Sequence, residues 1–416
     1  MKAVNIMKKH QIAVMGYGVV GSGVVEAFYN NVDNICRRIG CSVDIRYILD
    51  IRTHSGTPFD EKFITDFEKI LTDPEVTAVA EVIGGLDPAY EYTKRLLNAG
   101  KSVVTSNKEL VAQKGAELLE IAQKNGVLYL FEASVGGGIP IIRPLRRCLI
   151  GNRIEQIAGI LNGTTNFILT KMFEEKMSFE DALKMAQRLG YAERNPAADV
   201  EGQDACRKIC ILSSLISGYH VYPDEVHTEG ITNITRQDVA AAEQFNCSMK
   251  LIAYCNQLEN GQIQAVVAPM LVTKENRLYN IRDVFNGITV RGDAVGDVAF
   301  YGRGAGKLPT ASAVISDLAE CIYHVPDTEP PLWQQGERRA VTDYRDIVFS
   351  YMLRLSKSDV LPLLESIVGK AVSTAQCDDE LWVITPPISH KKLEQAQKTV
   401  EENGSKLLAA FRVLQS

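Results

Sequence analysis

The stretch that decides the fold is Gln11-Ile12-Ala13-Val14-Met15-Gly16-Tyr17-Gly18-Val19-Val20-Gly21. Its first five residues predict a short buried strand, and the segment Ser22–Tyr29 that follows has a helical pattern. The motif G-x-G-x-x-G therefore stands between a strand and a helix, where its glycines permit a tight turn and bring backbone N–H groups close to a pyrophosphate. In this context it predicts a dinucleotide-binding turn formed by Gly16, Tyr17, Gly18, Val19, Val20 and Gly21.

The apolar segments that follow continue the alternation of strands and helices that is typical of a doubly wound parallel sheet. Asp50 ends the next strand, at the position where an acid bonds the ribose hydroxyls of NAD, whereas Arg52 suits the 2′-phosphate of NADP. The two residues favour different cofactors, so the choice between NAD and NADP stays open. The predicted strands are Asp44–Leu49, Ala78–Ile83, Lys101–Thr105 and Val127–Phe131, with a helix from Pro88 through Leu97.

Two polar loops follow strands at the predicted carboxyl edge of this sheet, which is where ligands bind in such folds. The first is Thr105-Ser106-Asn107-Lys108, in which Lys108 is equally compatible with a ligand contact and with a solvated loop. The second is Glu132–Pro140, whose three consecutive glycines let its backbone approach a ligand closely or form a domain hinge. Both loops are candidate parts of a binding site.

The middle of the chain begins with Arg153–Leu161, which predicts the first strand of a different sheet. Leu161-Asn162-Gly163-Thr164-Thr165-Asn166 follows it, and this Asn-Gly turn with threonines is typical of a cap for the predicted helix Phe167–Phe173. Such a turn is compatible with a purely structural role.

The stretch Gly190–Lys208 carries four carboxylates around a turn and then enters a helix predicted from Ala205 toward Ser217. Asp199 is a good N-cap residue, and Asp204 and Lys208 lie four positions apart, so they share one helix face. A surface salt bridge is the commoner interpretation of such a pair taken alone. A lysine held beside a carboxylate, near further carboxylates, also suits a small polar substrate that carries a positive charge.

The last part of the chain contains a second glycine-rich loop, Gly302–Thr310, which opens a helix predicted over Ala311–Tyr323. We expect this helix to return to the nucleotide domain and to contribute to the cofactor site. Before it, residues 258–291 alternate in a way that indicates antiparallel strands. After it, the proline-rich linker Pro326–Trp333 leads to a βαββα pattern and a last strand at Phe411–Leu414, which together predict a small independent α+β module.

Composition excludes several classes of function. A chain of 416 residues with 46% apolar and 23% charged residues is expected to form two or three globular domains. The net charge of −6 gives no electrostatic attraction to nucleic acid or to an anionic membrane. No secretory segment at Met1–Lys9 and no apolar run near about 20 residues is found, so a cytoplasmic protein is expected. Neither the histidines nor the cysteines have zinc-ligand spacing.

At this point the chain resembles homoserine dehydrogenase, over residues 10 to about 325. The combination of LNGTTN with GYAE…P..D.EG.DA..K is highly specific to that family. The resemblance implies an α/β fold with a Rossmann-type nucleotide-binding domain and an α+β substrate and dimerisation domain. It implies the reversible, NAD(P)H-dependent reduction of L-aspartate 4-semialdehyde to L-homoserine, on the route to threonine, isoleucine and methionine.

The same resemblance implies a role for each candidate site residue. Lys208 matches the proton donor to the carbonyl oxygen, and Lys108 lies near the nicotinamide and the substrate. The implied substrate contacts are Glu193, Asp204, Asp199 and Gly190. The implied cofactor contacts, beyond the glycine turn, are Asp50, Arg52, Thr105, Ser106, Lys108, Gly190, Gly304 and Gly306. A monovalent cation, sodium or potassium, matches Glu132 and the carbonyls of Val135, Gly137 and Ile139.

The resemblance also implies the domain order and the assembly. We expect a Rossmann domain over 1–140, a substrate and dimerisation domain over 141–328, a linker over 329–345 and an ACT-like βαββαβ domain over 346–416. Ser356–Pro362 lacks the Pro-Gly turn usual before the first ACT helix, which favours a module for association over threonine feedback. The family suggests a homodimer or homotetramer.

Two other functions compete with this interpretation. A cofactor-binding regulatory protein that has lost catalysis is disfavoured because Lys108, Asp204 and Lys208 are all present. A different semialdehyde oxidoreductase with an acyl-enzyme route needs an activated cysteine, and no cysteine stands in a comparable motif.

Overall fold

A computed structural model describes residues 9–323, 332–336, 341–377 and 379–415. It divides into two compact units. The first contains the described parts of Met1–Gly151, Cys210–Pro223 and Gly302–Glu337, and the second contains Asn152–Ile209, Asp224–Tyr301 and Arg338–Ser416. Each unit therefore combines segments that lie far apart in the sequence. The predicted linker lies partly outside the described residues, and His324 lies wholly outside them.

The first unit is built on a six-stranded parallel sheet. Its strand order is β3-β2-β1-β4-β5-β6, so the order reverses between β1 and β4, where ligands bind in doubly wound folds. The predicted α/β nucleotide-binding fold is confirmed. The strands are β1 (Lys9–Met15), β2 (Ser42–Leu49), β3 (Phe63–Ile64), β4 (Val76–Glu81), β5 (Ser102–Thr105) and β6 (Tyr129–Leu130).

Helices cover this sheet and fill its core. Val24, Val25 and Phe28 of the first helix, α1, are buried with Val314 and Leu318 of the helix that returns after the second glycine loop, α10. The predicted return of that helix to the nucleotide unit is confirmed. The helices are α1 (Val19–Ile39), α2 (Glu68–Thr72), α3 (Ala89–Asn98), α4 (Lys108–Lys124) and α10 (Lys307–Tyr323), with short 3-10 turns at Asp60–Lys62 and Glu132–Ser134 and a π-helical turn at Pro144–Cys148.

The second unit is built on an eleven-stranded mixed sheet with the order β12-β11-β7-β9-β10-β17-β13-β15-β14. Two short strands lie outside this order: β16 pairs with β13, and β8 pairs with β10. The strands are β7 (Ile154–Ile160), β8 (His227–Thr228), β9 (Cys247–Gln257), β10 (Ile263–Thr273), β11 (Phe285–Gly292), β12 (Gly296–Arg303), β13 (Val348–Leu355), β14 (Ser373–Cys377), β15 (Glu380–Ile384), β16 (Ile388–Ser389) and β17 (Leu407–Leu414).

The helices of the second unit include those that carry the carboxylate-rich stretch. They are α5 (Gly163–Glu174), α6 (Phe179–Arg188), α7 (Ala197–Val200), α9 (Arg236–Gln244), α11 (Leu361–Val368) and α12 (His390–Glu402), together with the first part of α8 (Gln203–Ser217), and short 3-10 turns lie at Pro223–Glu225 and Tyr344–Asp346. In the described parts of the chain, no helix is both long and apolar enough to cross a lipid bilayer.

The carboxyl-terminal residues contain the predicted elements, with the two-residue strand β16 in addition, in the order strand, helix, three strands, helix, strand. Their independence, however, is wrong. β17 pairs with β10 in parallel, with Met270 opposite Arg412, and with β13 in antiparallel fashion. Apolar side chains from both regions, such as Ile252 and Leu353, share one buried core. The ACT-like character of the module stays a prediction.

An ion pair joins this last strand to the middle of the chain. The guanidinium of Arg412 donates from Nη1 to Oε1 of Glu229 at 2.8 Å, and the Nε2 atom of His227 lies 2.9 Å from the same oxygen. Burial by itself raises the pKa of Glu229, but the His227 hydrogen bond and the Arg412 charge outweigh burial and lower the pKa from 4.5 to about 2. The ionised carboxylate therefore stabilises the folded state.

We expect Glu229→Gln to lower the free energy of unfolding by about 1 kcal/mol at pH 7. The effect is no larger because about a third of the Glu229 side chain is exposed, and solvent there screens the ion pair. A lowered carboxyl pKa stabilises above the unfolded pKa, and that stabilisation is lost as the pH falls through the folded pKa. The difference between variant and wild type should therefore shrink by more than half at about pH 3. Urea unfolding at both pH values measures it, with the exposed Glu259→Gln as control. Equal stability of Glu229→Gln and wild type at pH 7 contradicts this.

Candidate functional site

The glycine turn between β1 and α1 has the geometry that its motif predicts. Gly16 has a φ of +98° and donates its N–H to Leu49 O at 2.8 Å. A Cβ atom on Gly21 would lie 1.8 Å from Gly16 O, so only glycine fits there. A Cβ atom on Gly18, by contrast, meets nothing within 4 Å. Gly18 thus borders open space at the N-terminus of α1, where a pyrophosphate binds in this fold.

Alanine at Gly21 should affect stability, whereas alanine at Gly18 should affect dinucleotide binding. We expect Gly21→Ala to lower the free energy of unfolding by about 1–3 kcal/mol, because its Cβ overlaps Gly16 O. Gly18→Ala should keep the wild-type melting temperature and weaken dinucleotide binding by about tenfold or more, because its Cβ fills the space beside the turn. Thermal unfolding and fluorescence titration with NADPH separate the two effects. Destabilisation by Gly18→Ala, or normal dinucleotide affinity in that variant, contradicts the assignment.

Asp50 and Arg52 form one structure at the end of β2. The Asp50 carboxylate accepts four hydrogen bonds, from Tyr17 N at 2.8 Å and from Arg52 N, Nε and Nη2 at 2.9–3.0 Å. The Arg52 hydrogen bonds hold the pKa of the Asp50 carboxyl well below its usual range. The Asp50 side chain is 5% exposed, whereas that of Arg52 is 61% exposed. The acid is thus saturated with donors and the arginine faces solvent.

The strand ends of β4 and β5 form a connected polar edge. Thr105 donates its hydroxyl to Glu81 at 2.6 Å and accepts a hydrogen bond from Asn107 N at 2.9 Å. Asn107 caps α4 and donates from Nδ2 to Gly85 O. Lys108 is half-buried as the first residue of α4, and Ser106 O accepts its N–H, so it stands at the start of a helix and not in a loop.

Sequence reasoning missed Glu81, and it missed the hydrogen bond that Asn107 donates to Gly85 O. Glu81 is fully buried, and burial raises the pKa of its carboxyl. Its only signal in the sequence is an acid at the end of an apolar strand, just before Gly84-Gly85. Such an acid at the carboxyl edge of a parallel sheet indicates a binding region.

The two glycine-rich loops pack against each other in the first unit. Gly138 donates its N–H to Arg303 O at 3.1 Å, and a Cβ atom on Gly137 would lie 2.3 Å from Gly304 O. Gly306, with a φ of +128°, precedes α10. The structure therefore brings Gly304 together with the Glu132–Pro140 loop, and Gly306 follows two residues later.

Glu132 is buried, and its carboxylate accepts three backbone N–H groups, from Ile141 at 2.6 Å, Ile142 at 2.9 Å and Arg143 at 2.7 Å. A carboxylate has about four acceptor sites, so these bonds leave capacity for one cation contact. With the carbonyls of Val135, Gly137 and Ile139, the donors are all oxygen, which fits a hard cation.

A buried cluster in the second unit surrounds Lys208. The Nζ atom of Lys208 donates to Asp204 Oδ2 at 2.8 Å and to Leu161 O at 2.7 Å. Asn162 donates from Nδ2 to the same Asp204 oxygen at 2.9 Å and to Asp199 Oδ1 at 2.7 Å. Lys208, Asp204 and Asn162 are 7%, 5% and 5% exposed. A lysine ammonium fixed in this way is suited to transfer a proton to a bound oxygen.

This cluster corrects two expectations and reveals a residue that the sequence did not single out. The surface salt bridge interpretation of Asp204 and Lys208 is wrong, because both side chains are buried. Asp199 does not cap α8; it lies inside the four-residue helix α7, and its carboxylate accepts a hydrogen bond from Asn162. A cap is present as predicted, since Asn162 caps α5 through Thr165 N, but α5 begins at Gly163 and not at Phe167. The residues around Asn162 in the sequence do not indicate its contacts with Asp199 and Asp204.

Gly190 and Glu193 lie on the exposed turn that follows α6. Gly190 has a φ of +75°, which favours glycine. Gln187 donates to the carbonyl oxygen of Glu193 at 3.1 Å, and the Glu193 side chain lies at the surface. Thr164 of the LNGTTN turn donates its hydroxyl to Tyr191 O at 2.7 Å, which connects this turn to the start of α5.

Comparison with known proteins gives one consistent family. The model of the homoserine dehydrogenase NAD binding domain matches residues 16–132, and the homoserine dehydrogenase model matches residues 140–319. The chain is 42% identical to homoserine dehydrogenase of Bacillus subtilis strain 168 over 322 residues, which cover 77% of this chain and 74% of the relative.

Two solved structures extend the comparison. A homoserine dehydrogenase from Thiobacillus denitrificans is 33% identical with a TM-score of 0.91, over 98% of this chain and 99% of that one. A mutant homoserine dehydrogenase from a hyperthermophilic archaeon, in complex with NADPH, is 28% identical with a TM-score of 0.65, over 76% of this chain and 98% of that one.

Proposed function

This chain belongs to the homoserine dehydrogenase family, and from that premise we propose which residues carry out the reaction and which nicotinamide the chain prefers. It is an oxidoreductase of amino-acid biosynthesis that interconverts L-aspartate 4-semialdehyde and L-homoserine with NAD(P). No finding favours an inactive regulatory protein.

We assign the proton transfer to Lys208. The observation that carries this assignment is the buried ammonium, held by Asp204 Oδ2 and Leu161 O at 2.8 and 2.7 Å. When bound, the reduced nicotinamide supplies a hydride to the aldehyde carbon. The aldehyde oxygen then gains negative charge, and a fixed ammonium both stabilises that charge and protonates the oxygen. In the reverse direction, the neutral amine of Lys208 takes the hydroxyl proton from homoserine.

The nicotinamide side of the site is assigned to the polar strand ends of the first unit. Thr105, Ser106 and Lys108 stand where ligands bind at the carboxyl edge of a doubly wound sheet. Glu81 and Asn107 hold Thr105 and Gly85 in place through hydrogen bonds of 2.6 and 2.5 Å. We propose that Thr105, Ser106 and Lys108, with Gly190, Gly304 and Gly306, contact the cofactor.

The substrate is recognised as an amino acid. Asp204 and Asp199 are carboxylates brought together by Asn162, and Glu193 adds an exposed carboxylate on the turn after Gly190. We propose that Glu193 and Asp204, with Asp199 close by, bind the α-ammonium group of the substrate. Holding that group orients the aldehyde, which lowers the entropy cost of the reaction.

We propose that the nicotinamide is NADP(H) rather than NAD(H). The Asp50 carboxylate already accepts four N–H groups, so no acceptor remains for a ribose 2′-hydroxyl. The guanidinium of Arg52 donates from Nε and Nη2 to Asp50 but is 61% exposed, and it carries the positive charge that a 2′-phosphate requires. The sequence leaves this choice open, and the saturated acid supports NADP.

Two further parts of the proposal concern a cation and assembly. Glu132 with the carbonyls of Val135, Gly137 and Ile139 would hold sodium or potassium, which when bound supplies positive charge to this loop. We propose a homodimer or homotetramer, supported by β12, which ends the described sheet and is partly exposed along its length, with Tyr301 62% exposed. Light scattering of the purified chain tests the assembly.

A steady-state assay tests the function itself. Homoserine oxidation and aspartate semialdehyde reduction are followed through nicotinamide absorbance, with NADP(H) and NAD(H) in parallel. Turnover with this substrate pair, and none with an aldehyde that lacks the α-ammonium group, is expected. Turnover of both aldehydes with similar kcat/KM contradicts the assignment of the carboxylates.

A further inference from the structure

We infer that Asn162 is a positioning residue for proton transfer: its side-chain amide fixes the two carboxylates beside Lys208. The inference rests on the proposed role of Lys208. The Nδ2 atom of Asn162 donates to Asp199 at 2.7 Å and to Asp204 at 2.9 Å, and Lys208 shares that Asp204 oxygen at 2.8 Å. One amide group thus connects two acids and, through one of them, the proton donor.

The orientation of this amide is fixed by its own neighbours. Oδ1 of Asn162 accepts hydrogen bonds from Thr165 N at 2.8 Å and from Thr165 Oγ1 at 3.0 Å. The amide oxygen therefore faces donors and its NH2 group faces the carboxylates, and the reversed orientation has acceptors facing acceptors. The residue is 5% exposed, so water does not replace these contacts readily.

The backbone around Asn162 constrains Lys208 a second time. Leu161, directly before it, supplies the carbonyl oxygen that accepts from Lys208 Nζ at 2.7 Å. Asn166, one turn into α5, donates from Nδ2 to the carbonyls of Asp283 and Phe285 at 2.9 and 3.1 Å. The start of α5 is thereby anchored to Asp283 and to the first residue of β11, so Leu161 O and Asp204 Oδ2, the two acceptors of Lys208 described above, depend on the placement of one turn.

The negative charges of Asp199 and Asp204 explain why an asparagine is suited to position 162. Two carboxylates that share a neutral donor repel each other less, and Asp204 keeps a donor besides Lys208. Aspartate at 162 would cap α5 equally well but would place a third carboxylate against the first two. Serine would also cap the helix but is too short to reach both acids. Asparagine alone among these three satisfies the helix and the acids together.

These differences separate catalysis from folding. We expect Asn162→Ser to lower kcat about 10–100-fold with unchanged affinity for NADPH, and to lower the melting temperature only by what the lost amide contacts account for, because serine keeps the cap of α5. Asn162→Asp should lower kcat further and shift the pH profile of kcat. The double variant Asn162→Ser/Lys208→Ala should be no slower than Lys208→Ala alone, because the amide acts through the lysine. Ser178→Ala, which removes the cap of α6, should lower the melting temperature without changing kcat.

The outcomes distinguish this inference from the proposed function. If Lys208→Ala is inactive while Asn162→Ser has a kcat within twofold of wild type, the inference is overturned and the proposed function stands. If Lys208→Ala keeps wild-type kcat, the proposed function and the inference are both overturned. A loss in Asn162→Ser that adds in full to the loss in Lys208→Ala overturns the inference, since the amide then does not act through the lysine.

Discussion

Replacing Lys208 with alanine is expected to lower kcat for aspartate semialdehyde reduction by about 10²–10⁴-fold. The ammonium that protonates the nascent alkoxide is lost, and the Asp204 carboxylate that faces it is buried without that partner. Cofactor affinity should be unchanged, because the glycine turn belongs to the other compact unit. Stopped-flow measurement of hydride transfer and equilibrium titration with NADPH report the two quantities separately.

Lys208→Arg provides the variant that keeps the positive charge. It retains a partner for Asp204, and the fold should survive, but a guanidinium is too weak an acid to donate the proton efficiently. Its kcat should therefore stay low, and the pH profile should lose the limb that reports the lysine. Lys184→Ala, an exposed lysine on α6, is the matched control and should have wild-type activity. Normal kcat in a folded Lys208→Ala or Lys208→Arg protein refutes the assignment.

The nucleotide unit was largely predictable because most of its longer strands contain an apolar run of four or five residues bounded by glycine or polar residues. The glycine turn and the return of α10 to this unit follow from local patterns, whereas the strand order required the structure. The two-residue strand β3 and the five-residue helix α2 were not predicted, since so few residues give no period to detect.

The second unit shows where local patterns fail. β9 was missed because a lysine, Lys250, interrupts its apolar residues, yet that side chain is 1% exposed. Its Nζ atom donates to Asn166 Oδ1 at 3.0 Å, a partner 84 residues away in the chain, and burial lowers the pKa of Lys250 to about 7. A satisfied buried charge is a tertiary contact, which no window of sequence contains. The parallel pairing of β17 with β10 also joins residues that are far apart in the chain, so no local pattern predicts it.

The candidate site was predicted in part for the same reason. The i,i+4 spacing of Asp204 and Lys208 put both on one helix face, but whether that face is buried depends on the packing of α5 and the turn before it. The turn Leu161–Asn166 was expected to cap a helix, but the sequence did not single out Asn162 within it. Its link to Asp199 and Asp204 spans 37 and 42 residues and required the structure.

Arg52→Ala should lower kcat/KM for NADPH by about 10–100-fold, mainly through KM, because a charge-assisted contact of about 1.5–3 kcal/mol to the 2′-phosphate is lost. The same change should leave kcat/KM for NADH equal or higher. Three of the four hydrogen bonds on the Asp50 carboxylate come from Arg52, two of them from its side chain, so alanine restores acceptor sites for a ribose hydroxyl. Initial rates with both nicotinamides at fixed aspartate semialdehyde measure the switch.

Arg46→Ala is the matched control, since Arg46 lies on β2, the strand that leads to Arg52, and pairs with Asp73 and Glu75 instead of facing a cofactor. It should keep the wild-type ratio of kcat/KM between the two nicotinamides. The preference for NADPH should also weaken as salt increases, because an exposed guanidinium and a phosphate are screened. A wild-type enzyme that prefers NADH, or an Arg52→Ala variant with an unchanged ratio, would show that Asp50 binds the ribose despite its four N–H partners.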